Sequence, residues 1–194
     1  MIRFQQLDNL PIYDLYTELN KLVDSNIIKW SSDNTQICLN TVKENSDDYS
    51  LGTGSLIYDW DRSSEEIDEF GNKKTILVKF ENPHVESDFK FLCNQFKGTL
   101  FEHVYHELEK VYNIGRVRIM KSKSKTCLTW HKDDTPRIHY PIKTQRGCFM
   151  VIDDEIMHLE QNKWYWTDTI VKHTAFNSSL KDRIHLVVTI LDEK

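Results

Sequence analysis

The four cysteines of this 194-residue chain (Cys38, Cys93, Cys127 and Cys148) lie far apart, and no Cys-x-x-Cys pair occurs. That excludes a zinc knuckle or a dithiol redox motif and points to a reducing compartment, with the cysteines expected as buried small hydrophobes. Long apolar runs are missing too. Stretches such as Cys148 to Ile152 are far too short to cross a bilayer, and Met1-Ile-Arg-Phe-Gln-Gln has neither the basic start nor the apolar core of a secretory signal. No membrane association is expected, and the cytoplasm is the default compartment. There is no excess of positive charge: the net charge of -5 lacks the basic footprint of a nucleic-acid binder, so no nucleic-acid partner is expected. Repeats and low-complexity tracts are absent, which excludes an array. What is present is ordinary for a globular protein: 39% hydrophobic and 28% charged residues. The length suits one domain, residues 1–194, with a sizeable core.

Periodicity divides the chain near Gly115. In the first part, 1–115, Pro11 to Val23 sets Leu15, Leu19 and Leu22 at helical spacing, with Asn9 as a possible cap. Asp88 to Tyr112 is a second helical stretch that Gly98 can interrupt and Gly115 can stop. Between them Asn45 to Asn72 reads as a polar loop, and Thr75 to Phe80 as a strand. After Gly115, runs of strand composition follow one another at Val117–Lys121, Cys127–His131, Arg137–Ile142, Cys148–Ile152, Ile156–Glu160, Trp164–Thr167, Ile170–Phe176 and Ile184–Leu191. So many short strands predict an antiparallel sandwich or barrel, with the jelly roll as the natural form over 116–192. At least one of Trp164 and Trp166 should be core, and Trp60 sits in the polar stretch near Tyr58 and Asp61. The last strand places Ile184, Leu186, Val188 and Ile190 on one face and Arg183, His185, Val187 and Thr189 on the other. An arginine on such a face is costly to bury unless an anion meets it.

Two histidines and one carboxylate give three ligands and leave open positions at a non-haem iron centre. A His-x-acid pair alone is weak evidence, since 8 histidines and 30 acids among 194 residues yield about one by chance. Two occur here. His158-Leu-Glu160 follows Asp153-Asp-Glu-Ile-Met and reads as an exposed strand or turn. His131-Lys-Asp133 is followed by Arg137-Ile-His139, by the lone His173 in an apolar strand, and by Arg183 ten residues later.

From about Arg116 to Leu191 the chain resembles the aspartyl/asparaginyl β-hydroxylase family of Fe(II)/2-oxoglutarate-dependent oxygenases. The resemblance rests on Trp130-His131-Lys-Asp133, Arg137-Ile-His139-Tyr-Pro, His173-Thr-Ala-Phe-Asn177 and Asp182-Arg183-Ile-His-Leu-Val, in that order. It implies a double-stranded β-helix, cupin-like in architecture, with an N-terminal helical region. It implies His131, Asp133 and His173 as Fe(II) ligands, Arg183 as the partner of the distal carboxylate of 2-oxoglutarate, and Arg137 and His139 as further cosubstrate contacts. The implied reaction uses O2 to hydroxylate a C–H bond of an amino acid, free or within a peptide or protein, and releases succinate and CO2. The carboxylate ligand argues against a halogenase.

Plainer roles stand beside these. His131 can be a surface residue among Lys132, Asp133 and Asp134, and His173 a hydrogen-bonded core histidine. Arg183 can pair with Asp182 or Asp168, while Arg137 and His139 can be structural. His185 reads as a buried, hydrogen-bonded histidine. Lys121-Ser-Lys-Ser-Lys125 reads as a solvated hairpin tip, or else as a greeting for an acidic substrate. Two other classes compete as wholes: a cupin-type metal enzyme that needs no 2-oxoglutarate, and a non-catalytic jelly-roll binding module.

Overall fold

Alternating apolar residues double the chain back on itself repeatedly. The computed structural model describes the outcome over residues 2–56, 61–67, 69–79 and 84–193. The elements in the first part are β1 (Phe4–Leu7), α1 (Leu15–Asp24), β2 (Gln36–Cys38), β3 (Asn40–Thr41), β4 (Asp61–Ile67), β5 (Lys73–Lys79), β6 (Phe91–Leu92) and α2 (Leu100–Val111). There follow β7 (Tyr112–Ser122), β8 (Thr126–Cys127), β9 (Arg137–Lys143), β10 (Cys148–Ile152), β11 (Glu155–Met157), β12 (Trp164–Thr167), β13 (His173–Asn177) and β14 (Arg183–Glu193). Trp60, Tyr58 and Phe80 lie outside the described residues.

Two antiparallel sheets form the jelly roll. The major sheet runs β1-β12-β9-β14-β7-β2 and the minor one β11-β10-β13-β8. The expected faces of β14 are found. Ile184, Leu186, Val188 and Ile190 join Leu15, Leu19 and Leu22 of α1 and Phe101, Val104 and Leu108 of α2 in one buried cluster, so both helices cover the outside of the major sheet. Phe4 and Tyr165 from the major sheet meet Met150, Ile152 and Ala175 from the minor sheet in a second cluster between the layers. Each fully buried aliphatic or aromatic side chain contributes about 1.5–3 kcal/mol. Among the described residues no helix is long and apolar enough to cross a membrane.

Several boundaries differ from the sequence expectation, each for a local reason. α1 begins at Leu15 because Asp14, not Asn9, caps it through the Thr17 N–H. The preceding Pro11–Tyr13 stays outside the helix because the sheet claims its backbone: Trp164 Nε1 donates to the Pro11 carbonyl, and the Tyr140 hydroxyl donates to that of Tyr13. α2 is shorter than Asp88–Tyr112. Gly98 takes φ +74°, Thr99 caps the helix, and residues 86–97 form two short 3-10 turns around β6. Gly115 does not stop a helix but lies within β7, where a Cβ would meet the Glu86 carbonyl oxygen at 2.7 Å. The polar stretch 45–72 contains β4, which pairs with β5. β1 and β2 also bring the first part of the chain into the major sheet.

The strand expected over Cys127–His131 is interrupted. Cys127 pairs with Phe176 and His131 bridges His173, so one more residue separates the first pair of positions than the second. This bulge at Thr129–Trp130 breaks the alternation that would have put Cys127 and His131 on one face. It also explains why Cys127 is exposed, whereas the other three cysteines are buried as expected.

Asn40 fixes the segment that precedes α2. Fully buried, it donates from Nδ2 to the carbonyls of Phe89 and Gly115 and accepts from the Val117 N–H, all at 2.8 Å. Replacing Asn40→Ala strands three buried backbone groups, and urea denaturation should show a loss of about 2–4 kcal/mol. A loss below about 0.5 kcal/mol would contradict this role.

Candidate metal centre

The bulge and the return strand bring two histidines together by backbone pairing. His131 N–H donates to His173 C=O at 3.0 Å, and His173 N–H returns the bond at 2.8 Å. The rings lie 4.2 Å apart, centroid to centroid. Each Nδ1 sits against a backbone carbonyl, that of Thr129 for His131 (2.8 Å) and that of Val171 for His173 (3.0 Å). A carbonyl only accepts, so each Nδ1 carries the proton and each Nε2 keeps a free lone pair, the tautomer that a metal requires. Burial lowers the His173 pKa below the ordinary imidazole value, which favours the neutral form further.

Asp133 completes the set. Its backbone N–H is held by the Thr169 carbonyl, and its Oδ2 lies 3.8 Å from His173 Nε2. Ligand atoms of His131, Asp133 and His173 all fall within 4.8 Å of one another. This donor set suits a non-haem iron site with open positions.

Behind Asp133 stands a network that sequence reading missed in part. Arg137 Nε approaches Asp133 Oδ2 at 3.3 Å, Nη1 bonds to Thr135, and Nη2 reaches Glu86 Oε1 at 3.2 Å. Glu86 also takes a bidentate contact from Arg116 (3.0 and 2.8 Å) and a hydroxyl bond from Thr189. Burial by itself would raise the Glu86 carboxyl, but Arg116 and Arg137 hold it below the usual carboxylate range. Glu86 comes from a polar stretch with no motif and enters the site only because Gly115 lets its backbone approach β7.

On the other side of the ligands, Arg183, His139, His185 and His173 line an inner cavity of about 80 Å³. Arg183 is buried, and among the described residues its Nε has no hydrogen-bond partner. Neither Asp168 nor Asp182 takes it: Asp168 binds Arg3, and Asp182 accepts from the Ser124 N–H. His139 and His185 meet through their Nδ1 atoms at 3.4 Å, and among the described residues His185 Nε2 also has no partner. Burial and the adjacent Arg183 push His139 down to about 3 and His185 well below its usual value, so both are neutral. The inner cavity adjoins an outer one of about 480 Å³, with Arg118, Met120, Leu128, His131, Asp133 and Arg137 lining both.

The fold therefore brings His131, Asp133, His173, Arg137, His139 and Arg183 to one place. It excludes His158, a partly buried side chain whose Nδ1 faces the Cys148 carbonyl. Lys121, at the start of the basic run, is engaged by Trp30 and Asn34. Sequence reading missed Arg116 and Arg118; the one signal was their alternate spacing among the apolar residues Ile114, Val117, Ile119 and Met120.

A family model for aspartyl/asparaginyl beta-hydroxylase matches residues 60–193. Among curated protein sequences nothing matches. An oxidoreductase of the 2OG-Fe(II) oxygenase family from Burkholderia pseudomallei is 10% identical over 96% of this chain and 82% of its own, with a TM-score of 0.49. AerE from Microcystis aeruginosa is 22% identical over 40% of this chain, with a TM-score of 0.35; the match spans only 36% of AerE. A cupin domain from Bordetella pertussis Tohama I is 16% identical over 39% of this chain and 79% of that domain, with a TM-score of 0.35.

Two outcomes follow from the site's electrostatics. Glu86→Gln removes the anion shared by Arg116 and Arg137. It should weaken Fe(II) affinity about 10-fold or more in a chelator competition, and an unchanged affinity would show that the network does not orient Asp133. His139 and His185 are neutral in the fold but take up protons when unfolded, from about pH 6.5 downward. The unfolded state therefore binds more protons between that pH and the folded values, and stability is full above about 6.5 and falls as pH is lowered. Between pH 7 and 5 His139 should cost about 2 kcal/mol in urea melts, His185 should add a loss of the same sign, and His185→Asn should flatten the slope.

Proposed function

The chain belongs to the aspartyl/asparaginyl beta-hydroxylase family, and from that premise we propose that it is an Fe(II)- and 2-oxoglutarate-dependent oxygenase. Its reaction hydroxylates a C–H bond of an amino acid, free or as a side chain in a peptide or protein, with release of succinate and CO2. The observation that carries this reading is the buried Arg183, whose Nε has no partner among the described residues, beside a two-histidine, one-carboxylate cluster. A buried guanidinium without a counter-ion is costly, and a dicarboxylate cosubstrate supplies the missing charge.

The residues present fit both groups. His131 and His173 offer Nε2 because their Nδ1 protons are committed to carbonyls, and Asp133 offers a carboxylate steadied by Arg137. Iron, O2 and 2-oxoglutarate together supply the oxidising power for C–H hydroxylation. The chain supplies position and dryness. Arg183 would hold the distal carboxylate of the cosubstrate, a fork-shaped contact that lysine does not reproduce. His139 faces the same cavity as a neutral N–H donor and adds no charge beside Arg183. Arg137 lines this cavity as well, and its Nε on Asp133 couples the cosubstrate side to the metal ligand. The outer cavity would seat the substrate on the exposed side of the ligands.

Anaerobic titration of 2-oxoglutarate into the Fe(II)-loaded protein should give a saturable visible charge-transfer band. Asp133→Ala should lose iron, whereas Arg183→Gln should keep iron and raise the half-saturating 2-oxoglutarate concentration about 100-fold. Iron bound without a band would favour a cupin-type enzyme that does not use 2-oxoglutarate. No iron binding would favour a non-catalytic jelly-roll module.

A further inference from the structure

Among the described residues, the oxygenase reading leaves one cation of the cavity wall without a task. On β7, Arg116, Arg118 and Met120 alternate toward the cavity while Val117 and Ile119 point into the helical core. Arg118 stands in a cross-strand row with Val187 of β14 and His139 of β9, which puts it at the junction of the inner and outer cavities. Its Nη1 donates to Gln36 Oε1 (3.1 Å) and to the Gly54 carbonyl (3.0 Å), both neutral acceptors. Among the described residues no carboxylate pairs with it. The nearby carboxylate, Glu86, is already shared by Arg116 and Arg137. Burial, with Arg116 beside it, lowers Arg118 to about 10, so it stays charged at neutral pH.

Among the described residues the charges do not balance without a further anion. Arg116, Arg118, Arg137 and Arg183 face Glu86 and Asp133, and Asp134 adds an exposed carboxylate at the outer rim. A divalent metal and a dicarboxylate cosubstrate cancel each other and leave that excess in place. The inner cavity has Arg183 for its own anion; Arg118 is what remains for the outer one. We propose that Arg118 is the anchor of the substrate cavity and that the substrate presents a carboxylate to it, with Gln36 beside the contact. This rests on the oxygenase reading and adds to it the substrate's chemical class and a specificity residue outside the motifs. The carboxylate can be the α-carboxylate of a small amino acid or the side-chain carboxylate of an acidic residue in a peptide; the chemistry at Arg118 is the same.

The test uses the Fe(II)·2-oxoglutarate protein and four sets of probes: the free L-α-amino acids, their N-acetyl derivatives, their carboxamides, and end-capped peptides carrying Asp or Glu. Perturbation of the charge-transfer band and O2-dependent succinate release are both read. At least one carboxylate-bearing probe should respond, and removing its carboxylate as the amide should weaken it about 30-fold or more. Response to the free or N-acetyl acids assigns the α-carboxylate, and response to the acidic capped peptides alone assigns the side chain. Arg118→Gln should raise KM for the responding acid about 30-fold or more while the 2-oxoglutarate half-saturation moves by less than about threefold; Arg118→Lys should recover part of the loss. The inference is overturned if amides respond as well as acids, if no carboxylate responds, or if Arg118→Gln leaves the acid's KM unchanged. Loss of the 2-oxoglutarate band in Arg118→Gln would overturn it as well and assign Arg118 to the cosubstrate. Absence of the band from the unsubstituted protein would instead take down the oxygenase reading, and this inference with it.

Discussion

Enclosed by arginines, the Glu86 carboxylate ties a 3-10 turn of the first part of the chain to β7, β9 and β14 through Arg116, Arg137 and Thr189. A buried carboxylate with these partners stays ionised, and an ionised Glu86 is what lets two arginines be buried side by side. Arg137, held at one end by Glu86, presents its Nε to Asp133 at the other. The geometry of the His131–Asp133–His173 cluster is thus connected to the packing of residues 84–93 against the sheet, which Asn40 and the bare backbone of Gly115 make possible.

The placement of His131 and His173 depends on backbone rather than side-chain contacts. Their mutual bridge sets the spacing of the rings, and the bulge at Thr129–Trp130 turns His131 inward where simple alternation would not. The carbonyls that fix both tautomers come from residues two positions before each histidine, so the local fold selects the nitrogen left free. Placing candidate ligands on sheet positions with committed hydrogen bonds limits the reorganisation that metal binding would need.

Charge organises the two cavities differently. The inner one contains a guanidinium with no counter-ion among the described residues and two neutral histidines; Arg183, His173 and His185 are buried, so an anion beside them would feel little screening. The outer one has its arginines partly neutralised by Glu86 and is open to solvent at Asp134. Such a division lets one anion be held deep and a second nearer the surface.

Periodicity alone determined an antiparallel β second half after two helices and the two faces of β14; the family resemblance carried by the ordered motifs pointed to His131, Asp133, Arg137, His139, His173 and Arg183, which the fold brings to one cavity. These were legible because alternation in a strand and spacing along a chain are local properties. Helix limits were less so. The start of α1 was decided by Trp164 and Tyr140 claiming the backbone of Pro11–Tyr13, and the limits of α2 by pairing of residues far away in the chain. Glu86, Arg116 and Arg118 carry no motif, and their roles exist only because distant segments meet. A buried charge is defined by its neighbours, and the sequence does not state which carboxylate a given arginine will find or whether it will find one at all.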